Sequence, residues 1–255
     1  VLTHHPVIFR GLKTLVPNDP AVILAAGGKN ALSMHTNFDS AEGGMNDVLC
    51  KMLGLKSESA LHEEHGVGCG YVCECDGMNV RELAQRAKDV LGCRVVRFSG
   101  GEREISRVGV CSGSGGSFLA DAAEKGCQVL LTGDVKHDVF IDGENMGVSV
   151  IDAGHFYTEN IFCEFIAGEL KNKFSDLRVE IAVSNRDSGH YLDFHMQDAS
   201  GNILLWEMEG LLPMSAPGGT PCYRTGHFAF IYSAPVGEIT FYPAVWEVES
   251  ISEVI

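Results

Sequence analysis

Three separate stretches of this chain carry histidines and carboxylates whose types suit a divalent metal ion. The first is His4-His5, directly before Pro6. The second is Met34-His35-Thr36-Asn37-Phe38-Asp39-Ser40, with an imidazole at His35 and a carboxylate at Asp39. The third is His155 and Glu159, four residues apart and so able to reach one ion from a single turn of helix. Imidazole and carboxylate donors accept iron, zinc or manganese. Each stretch alone also has an ordinary reading: a surface His pair or tag remnant, a capping Asp beside a packed His, or capping choices at a helix entrance.

The elements around these stretches give them a common position. Each follows a short apolar segment that reads as a strand, at 1–3, 30–34 and 148–152. Open α/β sheets build their sites at the carboxyl ends of strands, where residues distant in sequence converge. Neighbours on an ideal strand point to opposite faces, so His4 and His5 can share a site only where the strand ends or bends, and Pro6 marks such an end. Five or six mixed nitrogen and oxygen donors exceed the four of a closed zinc site, and a carboxylate such as Glu159 can bridge. A dinuclear centre is the expectation.

The rest of the chain alternates helix and strand patterns up to about residue 186. A short helix is expected over 20–26, with Pro20 in its first turn and Gly27-Gly28 closing it. Met45, Val48, Leu49, Met52 and Leu53 recur at helical spacing. The polar run with His62, Glu63, Glu64 and His65 reads as a solvated loop rather than a metal cluster. A strand over 66–75 follows, and then Asn79 caps a helix whose stripe is Val80, Leu83, Ala84, Ala87, Val90 and Leu91. Further strands are expected at 95–98, 108–111, 129–132 and 178–183. Between the second of these and a helix at 118–125 lies Ser112-Gly113-Ser114-Gly115-Gly116-Ser117, either a tight turn or an anion pocket. It lacks the Lys-Ser/Thr of a P-loop. A helix starting near Thr158 would bury Ile161, Phe162, Phe165, Ile166 and Leu170. From about residue 187 the helical period is lost, and strand-like runs at 203–206, 227–232 and 238–242 describe a β-rich segment reaching 255. His190, His195 and His227 read there as surface or core residues.

Composition narrows the class. A 45% apolar chain of 255 residues can bury a real core. A net charge of -15 opposes broad attachment to nucleic acid or anionic membranes. No apolar run approaches the roughly 20 residues of a spanning helix, and the first residues show no signal sequence. Nine cysteines scattered through core-like segments read as reduced thiols, which fits a cytoplasmic protein. Cys69, Cys73 and Cys75 share a parity, so on an unbroken strand they would share a face and leave a soft-metal cluster open.

Taken together, Thr3-His4-His5-Pro6, His35-Thr36-Asn37-Phe38-Asp39, the glycines at 113–116, Thr132-Gly133-Asp134 and Gly154-His155-Phe156-Tyr157-Thr158-Glu159 resemble, in order, the motifs of the Nif-three-like dinuclear-metal family, also labelled GTP cyclohydrolase I type 2 homologues. The resemblance covers 1–186. It implies an α/β fold of two related lobes and a toroidal homohexamer with its metal sites facing an inner cavity. By the same resemblance His5 and Asp39 hold one ion, His4 and His155 the other, and Glu159 bridges both. His35 is a nearby candidate for positioning a ligand or transferring protons. Family members begin with a further segment before the His-His-Pro strand, so one is expected to precede Val1. Two functions follow as expectations: a metal-dependent hydrolase of a nucleotide or related phosphorylated small molecule, or a non-catalytic metal-binding assembly, delivery or regulatory scaffold.

Overall fold

The computed structural model describes residues 1–189 and, beyond them, only short strands within 196–240. The chain divides into two compact units, Val1–Gly189 and His190–Ile255. The first runs β1 (Leu2–Thr3), α1 (Pro20–Ala26), β2 (Leu32–Ser33), α2 (Thr36–Asp39), α3 (Met45–Met52), β3 (Lys56–Glu64), β4 (Val67–Asn79), α4 (Val80–Leu91), β5 (Arg97–Phe98) and β6 (Glu104–Val110). A 3-10 turn, Gly116–Phe118, then leads into α5 (Leu119–Glu124), β7 (Val129–Thr132), α6 (His137–Met146), β8 (Ser149–Asp152) and α7 (His155–Lys173). This is the mixed α/β architecture that the alternating pattern predicts. In the second unit the described strands form antiparallel pairs, the longest being Ile231–Ala234 with Gly237–Thr240.

Six strands of the first unit form one sheet in the order β3-β4-β6-β7-β8-β5. Strands β3, β4 and β6 pair antiparallel, β6, β7 and β8 pair parallel, and β5 lies antiparallel on β8. The parallel strands are apolar on both faces, as burial under two helical layers requires. Val129 and Leu131 of β7 and Ile151 of β8 face a core with α3, α4 and α7. Leu130 and Val150, on the alternate positions, face a second core with α5 and α6. Helix α4 shows why its sequence starts there. The Asn79 side chain accepts from Glu82 N at 2.9 Å, while Glu82 Oε2 accepts from Asn79 N at 2.8 Å. Val80, Leu83, Ala84 and Ala87 form its buried stripe, and the αL residue Gly92 ends it.

Strands β1 and β2 form a separate two-stranded parallel sheet, with Leu2 opposite Leu32 and Thr3 opposite Ser33. Both therefore deliver their next residues, His4-His5 and Met34-His35, at the same end.

Several elements differ from the sequence pattern. The polar run at 56–64 is not a loop but the edge strand β3, whose charges pair across the sheet: Lys56 with Glu74 at 2.8 Å, and Glu58 with Arg107 at 2.7 Å. An edge strand needs only one buried side, so polarity does not exclude it. Residues 178–183 are not a strand; Val183 is fully exposed, and nothing pairs this segment among the described residues. Cys69 does not share a face with Cys73 and Cys75. The first packs on the α5 side and the others lie in the opposite core, because Gly70 takes φ +67° and interrupts the alternation between them. The soft-metal cluster falls with it. His190, His195 and His227 lie outside the described residues.

Candidate metal centre

The carboxyl ends of β6, β7 and β8 open onto one edge of the sheet, and the turns that follow them carry the site. Strand β8 ends at Asp152, buried and bonded to both neighbouring turns: Oδ1 accepts from Gly154 N at 3.0 Å and Oδ2 from Val135 N at 3.2 Å. Helix α7 begins directly afterwards at His155, three residues earlier than the apolar stripe suggests, so His155 and Glu159 sit one turn apart on a formed helix. Phe162 on the same helix packs against Phe38 and Met45, which holds α2, and with it Asp39, beside α7.

All six histidines and carboxylates singled out in the sequence converge here. His4 Nε2 lies 3.5 Å from Asp39 Oδ1 and 3.6 Å from Glu159 Oε1. Glu159 Oε2 lies 3.2 Å from His5 Nε2 and 3.0 Å from His155 Nε2. His4 thus contacts both Asp39 and Glu159, while His5 and His155 meet at the other oxygen of Glu159, which stands between the two groups. His35 is closer to the donor set than a remote proton carrier would be: its ring centre is 5.0 Å from that of His4 and 5.1 Å from that of His5, and the three rings each offer a nitrogen to one locus.

The outward nitrogens are held. His4 Nδ1 contacts the Met34 carbonyl at 2.7 Å; since a carbonyl only accepts, that nitrogen carries a proton and Nε2 faces inward. His155 Nδ1 meets Asp134 Oδ2 at 2.8 Å, which aims its Nε2 inward in the same way. Carboxylate and carbonyl partners of this kind orient metal-binding histidines.

Charge follows from the crowding. Burial works against the Glu159 charge, but His155 and His4 outweigh it and hold its pKa at about 2. Glu159, aided by Asp134, raises His155 to about 9 against the opposing effect of burial. Burial lifts Asp39 to about 6. For His4, burial is overcome by Glu159, Asp39 and the Met34 carbonyl, and the pKa rises. Burial and the neighbouring histidines lower His5 and His35.

Despite these short contacts, His4 Nε2, Asp39 Oδ1, His155 Nε2 and Glu159 Oε2 are buried without a hydrogen-bond partner: the atoms are close but not aligned to donate and accept. Buried polar atoms in this state are costly, and divalent cations among them would satisfy them. The residues present fit a divalent ion. His5, 55% exposed, leaves one side open to solvent. A cavity of about 1390 Å³ adjoins the centre, lined by His5, His155 and Glu159 at one end and by Phe162, Ile166 and Leu170 farther along α7.

The glycine-rich loop serves the site structurally. Ser112 N donates to Asn46 Oδ1 at 2.8 Å, Gly113 N to Thr158 Oγ1 at 3.0 Å and Gly115 N to Thr132 Oγ1 at 2.7 Å. These three N–H groups, committed to side chains, pin the loop as a tight turn against the site. Gly113, at φ +67°, lies so close to Glu159 that a Cβ there would stand 2.2 Å from Oε1. Asp134, Asn46 and Thr158 had no assigned role in the sequence. Only the position of Thr132-Gly133-Asp134 at a strand end hinted at one.

A family model described as Duf34/NIF3 (NGG1p interacting factor 3) matches residues 1–189. A Clostridium perfringens protein named GTP cyclohydrolase 1 type 2 homolog is 32% identical over 194 residues, covering 72% of this chain and 73% of that one. A Schizosaccharomyces pombe protein named NIF3 homolog is 30% identical over 211 residues, covering 73% and 74%. Among solved structures, a Staphylococcus aureus hypothetical protein superposes with a TM-score of 0.68 at 27% identity, over 75% of this chain and 79% of that one. The chain belongs to the Duf34/NIF3 family.

Proposed function

We propose that this protein binds divalent metal through His4, His5, Asp39, His155 and Glu159 and uses it to hydrolyse a nucleotide or related phosphorylated small molecule. The observation that carries the metal reading is the convergence of four buried, unpartnered donor atoms from three distant stretches. Two ions of iron, zinc or manganese, bridged by Glu159, suit this donor set. When bound, such ions polarise the scissile centre and lower the pKa of water at neutral pH. The chain's residues supply the rest. Asp134 and the Met34 carbonyl orient His155 and His4. His35, held below the usual histidine range by burial and its neighbours, is neutral near pH 7 and able to take a proton. The exposed side at His5 admits substrate.

The nucleotide class rests on the name that the bacterial relatives carry, GTP cyclohydrolase 1 type 2 homolog. A cytoplasmic homohexamer with inward-facing sites is the assembly that the same kinship supports. The acidic charge of -15 disfavours nucleic acid as a partner, and no helix among the described residues is long and apolar enough to cross a membrane.

The test is elemental analysis of the purified protein followed by a nucleotide hydrolysis screen with each ion. Bound metal with turnover that disappears in Glu159→Gln supports the reading. Turnover unchanged in that variant rejects the site. Retained metal with no turnover across the panel favours a non-catalytic scaffold or delivery role.

A further inference from the structure

On the far side of the sheet from α7, five side chains that are not metal donors gather near the β3–β4 edge: His62, Cys69, Cys111, Phe118 and Asp121. His62 and Cys69 are direct partners across the antiparallel pair, a register that brings opposed side chains to within roughly 5 Å at Cβ. The His62 imidazole is fixed from two directions. Its Nδ1 meets Asp121 Oδ1 at 2.9 Å, and its ring stacks on Phe118 with centres 4.7 Å apart and planes 18° apart. Cys69 is partly exposed and packs against the core that contains Cys111. Gly70 makes this possible, since a Cβ there would stand 2.5 Å from the Val110 carbonyl oxygen and 3.2 Å from the Cys111 Cβ.

We propose that Cys69 is a peroxide-reactive thiol, positioned by the His62–Asp121 pair, with Cys111 as its resolving partner. The Cys69 thiolate attacks a hydroperoxide: an S–O bond forms, the O–O bond breaks, and the departing oxygen leaves as water or alcohol with the proton released by the thiol. Sulfur is oxidised to sulfenic acid and the peroxide is reduced. The Cys111 sulfur then attacks Cys69; the S–S bond forms, the S–O bond breaks, and hydroxide leaves with the Cys111 proton as water. Supporting this assignment, the neighbouring Cys111 and His62 draw the Cys69 thiol below its ordinary value against burial, while Cys69 and burial hold the Cys111 thiol well above its own, and the Asp121 contact raises His62. A thiol beside a histidine that favours its charged form is the more reactive one. The molecule contains its own comparison. Cys163 is also partly exposed, but burial pushes its thiol up.

The experiment is peroxide treatment of the intact protein with peptide mapping, together with iodoacetamide labelling rates at neutral pH. Cys69 should label at least tenfold faster than Cys163, and peroxide should link Cys69 to Cys111. Cys111→Ser should instead accumulate a Cys69 sulfenic acid trapped by dimedone. His62→Gln should slow Cys69 labelling at least tenfold with the circular dichroism spectrum unchanged. Equal labelling of Cys69 and Cys163 in the unaltered protein overturns the proposal without any variant. Unchanged Cys69 labelling in His62→Gln removes the role of His62, and a disulfide to any other cysteine removes that of Cys111.

Discussion

Gly113 and Glu159 touch across the centre: a Cβ on the glycine would lie 2.2 Å from Glu159 Oε1 and 3.4 Å from His155 Nε2. The loop after β6 therefore acts as a wall that fixes where the shared carboxylate can stand. Gly113→Ala adds a methyl group at a left-handed position, costing about 1–2 kcal/mol in the backbone, and displaces the carboxylate. A lower melting temperature and at least tenfold weaker metal binding are expected, measured by thermal denaturation and competition with a chelator.

Asp134 acts on the centre only through His155. Asp134→Asn keeps a side chain that tolerates its φ of 52° but removes the charge that orients the imidazole. Metal affinity should fall by about 10–100-fold, with the fold intact by circular dichroism. Affinity equal to that of the parent protein would mean that α7 alone aims His155.

Asn46 clamps two loops from inside the core. Its Nδ2 donates to the Asp39 carbonyl at 2.9 Å and its Oδ1 accepts from Ser112 N at 2.8 Å, with no exposed surface. Asn46→Ala leaves both groups buried and unpaired, at about 1–3 kcal/mol for each. Urea denaturation should show a loss of at least about 2 kcal/mol, and a smaller loss would mean that water replaces the side chain.

The metal-free protein should lose stability as pH rises. His155 titrates at about 9 when folded, against an ordinary value of 6.5. A raised histidine contributes stability that is fully present below 6.5 and disappears as pH climbs through 9. Each pKa unit corresponds to about 1.4 kcal/mol. Denaturation midpoints of chelator-treated protein should therefore fall between pH 6.5 and 9, and His155→Gln should flatten the slope. An unchanged slope in the variant would assign the effect elsewhere. Saturating metal should abolish it, because a bound histidine no longer exchanges that proton.

Much of the centre was legible in the linear chain because its donors are chemically distinctive. His4, His5, His35, Asp39, His155 and Glu159 are few, polar and placed after apolar strand-like runs, and sheet geometry leaves such residues at one edge. The stripe of α4 and its Asn79 cap were equally readable, since helical period and capping are local properties. What local pattern could not carry depended on neighbours distant in sequence. The polar segment 56–64 became a strand only because β4 and the charges of Glu74 and Arg107 lay beside it. Cys69 left the face of Cys73 because the close approach of the Val110 carbonyl admits only a glycine at position 70, which turns the chain at φ +67°. The pairing of His4 with Asp39 and of His5 with His155 was decided by the parallel alignment of β1 with β2 and by the packing of Phe38 on Phe162. Residue type and spacing determined which groups could form a metal centre; packing across the sheets determined which atoms face one another, because only there do chain segments 30 to 155 residues apart come into contact.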